Sequence, residues 1–188
     1  MWTSAFLATV LSIMVPIQNY DPMRAFDRSR IVIENTGKPI PVRPTYYDAG
    51  PDTGSILNAH YFPALELYNA GRYTDAEVNL TYVIERPTYI EGNPRQQEFL
   101  STAFYTRAMI YLYHASGIGR YSLAKGDFES ALKWNPKNFL AYLELSRVYS
   151  SLGFKEQAIT ILNYLLKLEP GKEIAAQAQD ELRKLTTK

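Results

Sequence analysis

From Leu57 to Leu185 the apolar residues recur at three- and four-residue intervals, and glycine, asparagine or proline interrupts the runs. That spacing puts apolar side chains on one face of an α-helix, and the interruptions mark turns. The pattern predicts three helical hairpins, at about 57–90, 101–138 and 139–172. A single amphipathic helix follows over 173–185, with Ile174, Ala178 and Leu182 on one side. The first 56 residues read differently. They hold six of the eleven prolines, and their five positive and five negative charges cancel. Residues 1–17 form an apolar segment almost free of charge, and 18–56 read as an extended, proline-rich arm. Within the arm, Arg30–Glu34 predicts one short strand, Asn35–Lys38 a turn, and Pro39–Pro44 a polyproline II spacer. Asp48–Gly54 reads as the loop that closes the arm.

Internal repetition sharpens the helical part. The phrases beginning at Gly71, Gly119 and Gly153 each place an aromatic within two residues of the glycine and an alanine five residues on. Gly119 to Gly153, Ala124 to Ala158 and Pro136 to Pro170 are each separated by 34 residues. A glycine permits a tight turn between helices, a small alanine lets the two helices approach, and a proline ends the pair. Stacked hairpins of this kind bury one continuous core.

With these landmarks the chain resembles the tetratricopeptide-repeat family. Over the third hairpin Tyr142, Leu145, Ser146, Tyr149, Ala158, Leu162, Leu165 and Pro170 fall on the family pattern. Phe104, Ala108, Tyr111, Ala124, Phe128, Ala131 and Pro136 do so over the second, with four extra residues in its turn around Ala115–Ile118. The first hairpin offers Ala64, Leu67, Gly71, Tyr73, Ala76, Leu80 and Val83. Pro63 falls inside its first helix, which must either start near Phe62 or kink. The resemblance covers about 130 of 188 residues. It implies an all-α fold, a short α-α superhelical solenoid with residues 173–185 as its capping helix.

The resemblance also implies a groove lined by the first helix of each hairpin. Carried over by offset, its positions are Tyr61, Leu65 and Tyr68, then Tyr105, Met109, Leu112 and Tyr113, then Leu143, Arg147 and Ser150. Met109 and Leu112 fit a place in the core equally well. Chaperone-binding members hold a carboxyl terminus with a clamp of Lys, Arg and Asn. Here Arg147, with Asn69 at the rim, is what matches, and the first-hairpin clamp places hold Tyr61 and Leu65. The expectation is a groove for a peptide helix, an extended apolar segment or the chain's own N-terminal arm.

Composition removes several chemistries. With 20 Lys+Arg against 19 Asp+Glu the net charge is +1, which gives no long-range attraction for nucleic acid. There is no cysteine, and the two histidines, His60 and His114, leave little for a metal site. No phosphate-loop, dinucleotide, zinc-protease or nucleophile-elbow motif occurs. Asp75, Glu77, Asp127 and Glu129 read as solvent-facing charges on helices, with no acid/base pair among them. His60 reads as a cap or surface residue and His114 as the finish of a helix. The fifteen tyrosines divide between packing places and groove places.

These observations predict a protein that is not an enzyme, with no cofactor, metal or small-molecule substrate. It reads as a scaffold or accessory subunit that binds a protein partner through the groove and residues 1–56. The alternatives are a transient assembly or regulatory factor that binds a peptide segment, and, more remotely, an accessory subunit of an enzyme. Residues 1–17 allow membrane contact, packing on protein, or a leader. As a helix they would span roughly 25 Å, the short limit for a bilayer crossing, and no Lys or Arg precedes them. A membrane-associated or exported location is favoured over the cytoplasm on this ground.

Overall fold

The apolar stripes fold into paired helices, each packed on the next in the chain. In this computed structural model residues 32–33, 56–86, 95–117 and 119–187 are described. The apolar segment 1–17, most of the arm with its proline-rich stretch and closing loop, and residues 87–94 of the linker lie outside the described residues. The first hairpin is α1 (Phe62–Asn69) and α2 (Tyr73–Ile84). The second is α3 (Gln96–Met109) and α4 (Arg120–Trp134), and the third α5 (Phe139–Ser151) and α6 (Lys155–Lys167). The last helix, α7 (Lys172–Thr186), packs on α6 and α5 and buries Ala178 completely.

Two departures from regular helix have visible causes. A π-helical turn, Leu57–Tyr61, runs directly into α1, and the Phe62 amide reaches back to Leu57 O. The wider turn lets Pro63, which has no amide hydrogen to give, sit in the first turn of α1. The predicted start near Phe62 is therefore met, with one π turn in front of it. A second π turn, Ile110–His114, extends α3, and two of the extra residues that follow form strand β2, Ala115–Ser116. This strand pairs antiparallel with β1, Val32–Ile33, with Val32 opposite Ser116 and Ile33 opposite Ala115. The insertion thus gives the arm a place of attachment on the second hairpin.

The landmark glycines close the hairpins as the repeat requires. Gly71, Gly119 and Gly153 have φ of 72°, 96° and 82°, in the left-handed region. After α1 the Arg72 amide donates to Leu67 O at 2.8 Å and Gly71 to Tyr68 O at 3.0 Å. After α5 the same two bonds recur, Phe154 to Tyr149 O at 2.8 Å and Gly153 to Ser150 O at 3.0 Å. This pairing satisfies the last carbonyls of each helix and turns the chain back.

Burial forms two clusters that meet at α3. Leu57, Tyr61, Ala64, Leu67, Ala76, Leu80, Val83, Leu100, Ala103 and Ile110 form one. Ala108, Tyr111, Leu123, Ala124, Phe128 and the inner faces of α5, α6 and α7 form the other. Because α3 is covered on both sides, its buried residues include a charge. Arg107 donates through Nε and Nη2 to both oxygens of Asp127 on α4, at 2.7 and 2.8 Å, and through Nη1 to Thr81 on α2 at 3.0 Å. The side chains of Arg107 and Asp127 are 3% and 2% exposed. Asp127 is therefore no solvent-facing charge, because it lies on the same stripe as Ala124, Phe128 and Ala131. Glu129 is also buried and accepts from Tyr149 Oη at 3.0 Å, while Glu77 accepts from Tyr111 Oη at 2.7 Å. Asn138 caps α5 by accepting from the Ala141 amide, and its own amide donates to Ser101 on α3. That side chain fixes the start of α5 beside α3.

Removing one member of the buried pair leaves an uncompensated group. Asp127→Asn is expected to lower stability by about 3–5 kcal/mol, whereas Arg107→Met combined with Asp127→Leu comes much closer to wild type. Urea midpoints of the three proteins check this. At Gly153 an added Cβ meets nothing within 4 Å, yet φ is +82°. Gly153→Ala is thus expected to cost about 1–2 kcal/mol through backbone strain alone, and an unchanged unfolding midpoint would contradict it.

Candidate functional site

The first helices of the hairpins and α7 are joined side by side along one face. At one end the Tyr61 ring meets Phe99 edge-on at 5.1 Å, and its hydroxyl is hydrogen-bonded to Thr102 on α3. Further along α1, Tyr68 lies edge-on to His114 at 6.2 Å. Tyr113, at the end of α3, donates to Glu144 on α5 at 2.5 Å. Arg147, one turn after Glu144, donates to it from Nη1 at 2.7 Å and reaches Glu181 on α7 at 3.1 Å from Nη2. The second helices, α2, α4 and α6, take no part in these bonds and form the opposite layer.

The predicted positions divide by burial. Tyr61, Leu112 and Leu143 are only 5%, 7% and 1% exposed and pack in the two cores. Leu65, Tyr68, Tyr105, Met109 and Arg147 are partly buried, whereas Tyr113 and Ser150 are exposed. Helical spacing adds residues that offset reasoning passed over. Leu140, Glu144 and Arg147 follow one another at four- and three-residue steps on α5, and Leu140 is 44% exposed. Glu98, Thr102, Tyr105 and Met109 do the same on α3. Glu144 could have been found as the one charge set among apolar residues a turn before Arg147.

Electrostatics bind this cluster together. Burial, first, and then the negative charge of Glu144 push the phenol of Tyr105 upward; burial, then the hydrogen bond to Glu144 and its charge push that of Tyr113 to about 12. Tyr68 is raised by burial, then by Tyr73 and Glu144. Tyr61, at the other end, is raised by burial, against its bond to Thr102, with a further push from Glu98. These tyrosines are neutral donors and ring surfaces at neutral pH.

The two histidines are held by packing. His114 stacks on Tyr73 at 3.6 Å, and His60 stacks on Tyr82 at 3.9 Å while its Nδ1 lies 2.8 Å from Asn79 Oδ1. Among the described residues no group of three His, Cys, Asp or Glu side chains could hold a metal ion. No helix among them is long and apolar enough to cross a membrane.

Comparison with known proteins places this arrangement. Residues 119–182 match the family model described as tetratricopeptide repeat. Over 85 residues, 45% of this chain, the sequence is 34% identical to the protein named translocon at the outer membrane of chloroplasts 64 from Pisum sativum. That match spans 14% of the relative's own length. Among solved structures, the second TPR domain of the human RPAP3 protein, in complex with the HSP70 peptide SGPTIEEVD, superposes with a TM-score of 0.56 at 23% identity. It covers 72% of this chain and 99% of that one. The Arabidopsis OM64 TPR domain gives 0.54 at 22% identity, covering 70% and 98%. At these identities the structural likeness establishes the fold.

The raised phenols generate a pH dependence. Each folded pKa lies above the unfolded value of 10.0, so as pH rises the unfolded chain loses its phenolic protons first. The contribution to stability is complete below that pH and falls as alkali carries the solution through the folded values. Phenolate absorbance and loss of helical circular dichroism are expected to rise together in an alkaline titration. Full ionisation near the ordinary tyrosine value with the helices intact would contradict this.

Proposed function

We propose that the tetratricopeptide-repeat domain of this chain is a non-catalytic holder that binds a protein partner along the face shared by α1, α3, α5 and α7. The observation that carries this reading is the strip of half-exposed side chains on that face. Leu65, Tyr68, Tyr105, Met109, Tyr113 and Leu140 offer aromatic and aliphatic surface beside a charged centre at Glu144 and Arg147. Tyrosines give large contact area at low entropic cost, and an arginine adds a fork of donors. Of the sequence-derived positions, Tyr61, Leu112 and Leu143 support the strip from beneath, and Ser150 lies at its edge. No group of side chains on the face supplies acid/base or nucleophilic chemistry. The human RPAP3 domain was solved with a bound peptide, which supports the same use of a like fold.

The arm belongs to this reading as an attachment. Val32–Ile33 fastens it to the inserted strand of the second hairpin. The apolar residues 1–17 supply membrane contact or a second contact with the partner. The Pisum sativum relative's name refers to an outer membrane, which supports a place for this chain at a membrane surface.

The test is co-purification of the full-length chain from its native source. Tyr113→Ala is compared with Val78→Ala, since both residues are exposed, at 48% and 60%, and Val78 lies on α2 in the opposite layer. Tyr113→Ala is expected to weaken partner retention by about tenfold or more, and Val78→Ala to leave it unchanged. Equal retention by both variants would overturn the reading.

A further inference from the structure

We infer that the segment this face accepts is uncharged where it crosses α3, and that it brings a carboxamide, from asparagine or glutamine, to the hydroxyls of Tyr68 and Tyr105. The inference rests on the holder reading above and names the partner's chemistry. Charge on this part of the face is matched. Glu144 accepts from Tyr113 at 2.5 Å and pairs with Arg147 at 2.7 Å, and Arg147 reaches Glu181 at 3.1 Å. Asp180 is met by Arg183 at 2.9 Å and by Lys184 at 2.7 Å, and Lys184 stands 3.6 Å from Glu181. The carboxylates Glu144, Asp180 and Glu181 are thus answered by Arg147, Arg183 and Lys184. Exposed Glu98 lies roughly 10 Å back along α3 from Tyr105 and borders this neutral stretch at the Tyr61 end.

Two phenols are left over in the middle. The hydroxyl of Tyr105 feels Glu144, Tyr68, Tyr113 and Arg147, so these groups gather round one place. Among the described residues neither Tyr68 nor Tyr105 has a hydrogen-bond partner for its hydroxyl. Packing fixes both rings. Tyr68 lies edge-on to Tyr73 at 5.5 Å and to His114 at 6.2 Å, and Tyr105 lies against Phe128 at 5.8 Å. Both are partly buried, recessed beside Tyr113 and Leu140, which are 48% and 44% exposed.

A charged side chain entering here gives up water and finds every counter-charge already held, which costs free energy. An acidic segment, such as the peptide SGPTIEEVD of the human RPAP3 structure, would have to draw Arg147 away from two carboxylates. A phenol hydroxyl both donates and accepts, and so does a carboxamide, with two N–H donors and a carbonyl oxygen. One carboxamide can therefore satisfy both hydroxyls without bringing charge. A backbone resting on Tyr113 and Leu140 stays above the recessed hydroxyls, and a side chain reaches down to them. Groups held in place before binding need little further ordering, and a site built to bond such a group rejects a segment lacking it.

The experiment is selection of a random twelve-residue phage-displayed peptide library on the full-length chain, followed by affinity measurements on a selected peptide. Wild type is expected to enrich Asn or Gln among apolar residues, with Asp, Glu, Lys and Arg depleted. Exchanging that Asn or Gln for leucine, or for its acidic counterpart, should weaken binding by about tenfold. Affinity should change less than about twofold between about 50 and 500 mM sodium chloride. Tyr68→Phe combined with Tyr105→Phe removes two oxygens that bond no other described residue, so circular dichroism and the urea midpoint should match wild type. On that variant the leucine exchange should lose its effect. Enrichment of charged peptides with salt-sensitive binding, or a leucine exchange that costs the same on the variant as on wild type, overturns the inference, while peptide binding itself leaves the holder reading standing. Failure to enrich any peptide also overturns it, and the holder reading then stands or falls on the Tyr113→Ala co-purification.

Discussion

Everything in this molecule depends on how closely the helices of each pair approach. Ala64 and Ala76 in the first hairpin, Ala108 and Ala124 in the second, and Ala158 in the third are all fully buried. A side chain larger than a methyl group at these contacts would force the pair apart, and close-packed interiors do not absorb such a change. The close approach makes each pair a rigid layer. It also leaves the remaining faces of α1, α3, α5 and α7 side by side, where their polar groups bond one helix to the next. The strip is a product of that alignment, because Tyr68, Tyr105 and Glu144 come from three different hairpins.

Charge is used in two ways on the two sides of α3. Between the layers, Arg107 and Asp127 are out of solvent and fully hydrogen-bonded to each other and to Thr81. Such a pair is weak evidence of added stability, but its geometry admits one register of α2, α3 and α4. On the open face, Glu144 and Arg147 are bonded to each other and to Tyr113 and Glu181, yet the arginine's side chain remains 34% exposed. The first arrangement fixes the scaffold. The second ties α3, α5 and α7 together at the surface of that face.

The fold was legible in the sequence because its punctuation is physical. Glycines needing a left-handed φ, alanines needing close approach and prolines ending helices recur 34 residues apart between the second and third hairpins, and the first hairpin repeats the glycine and alanine. The face was legible only to within a residue. Each step along a helix rotates by about 100°, so offset reasoning found Leu143, 1% exposed, where Leu140, three residues earlier, is 44% exposed. Asp127 and Glu129 were misread because charged residues are ordinarily exposed. Asp127 shares the inward stripe of Ala124, Phe128 and Ala131, and Arg107 on α3 is its buried partner, whereas Glu129 is held by Tyr149 and Lys125. The π turns had no sequence period, while the apolar run within Arg30–Glu34 did signal the arm strand at Val32–Ile33 but not its pairing with Ala115–Ser116.

The central claim is that the face of α1, α3, α5 and α7, and not the opposite layer, meets the partner. Hydrogen–deuterium exchange of the full-length chain, alone and with the co-purified partner bound, tests this most directly. The account predicts added protection over residues 102–113 and 140–150, with α2 and the outer side of α6 unchanged. Protection confined to α2, α4 and α6, with the tyrosine-lined helices unaltered, would contradict it.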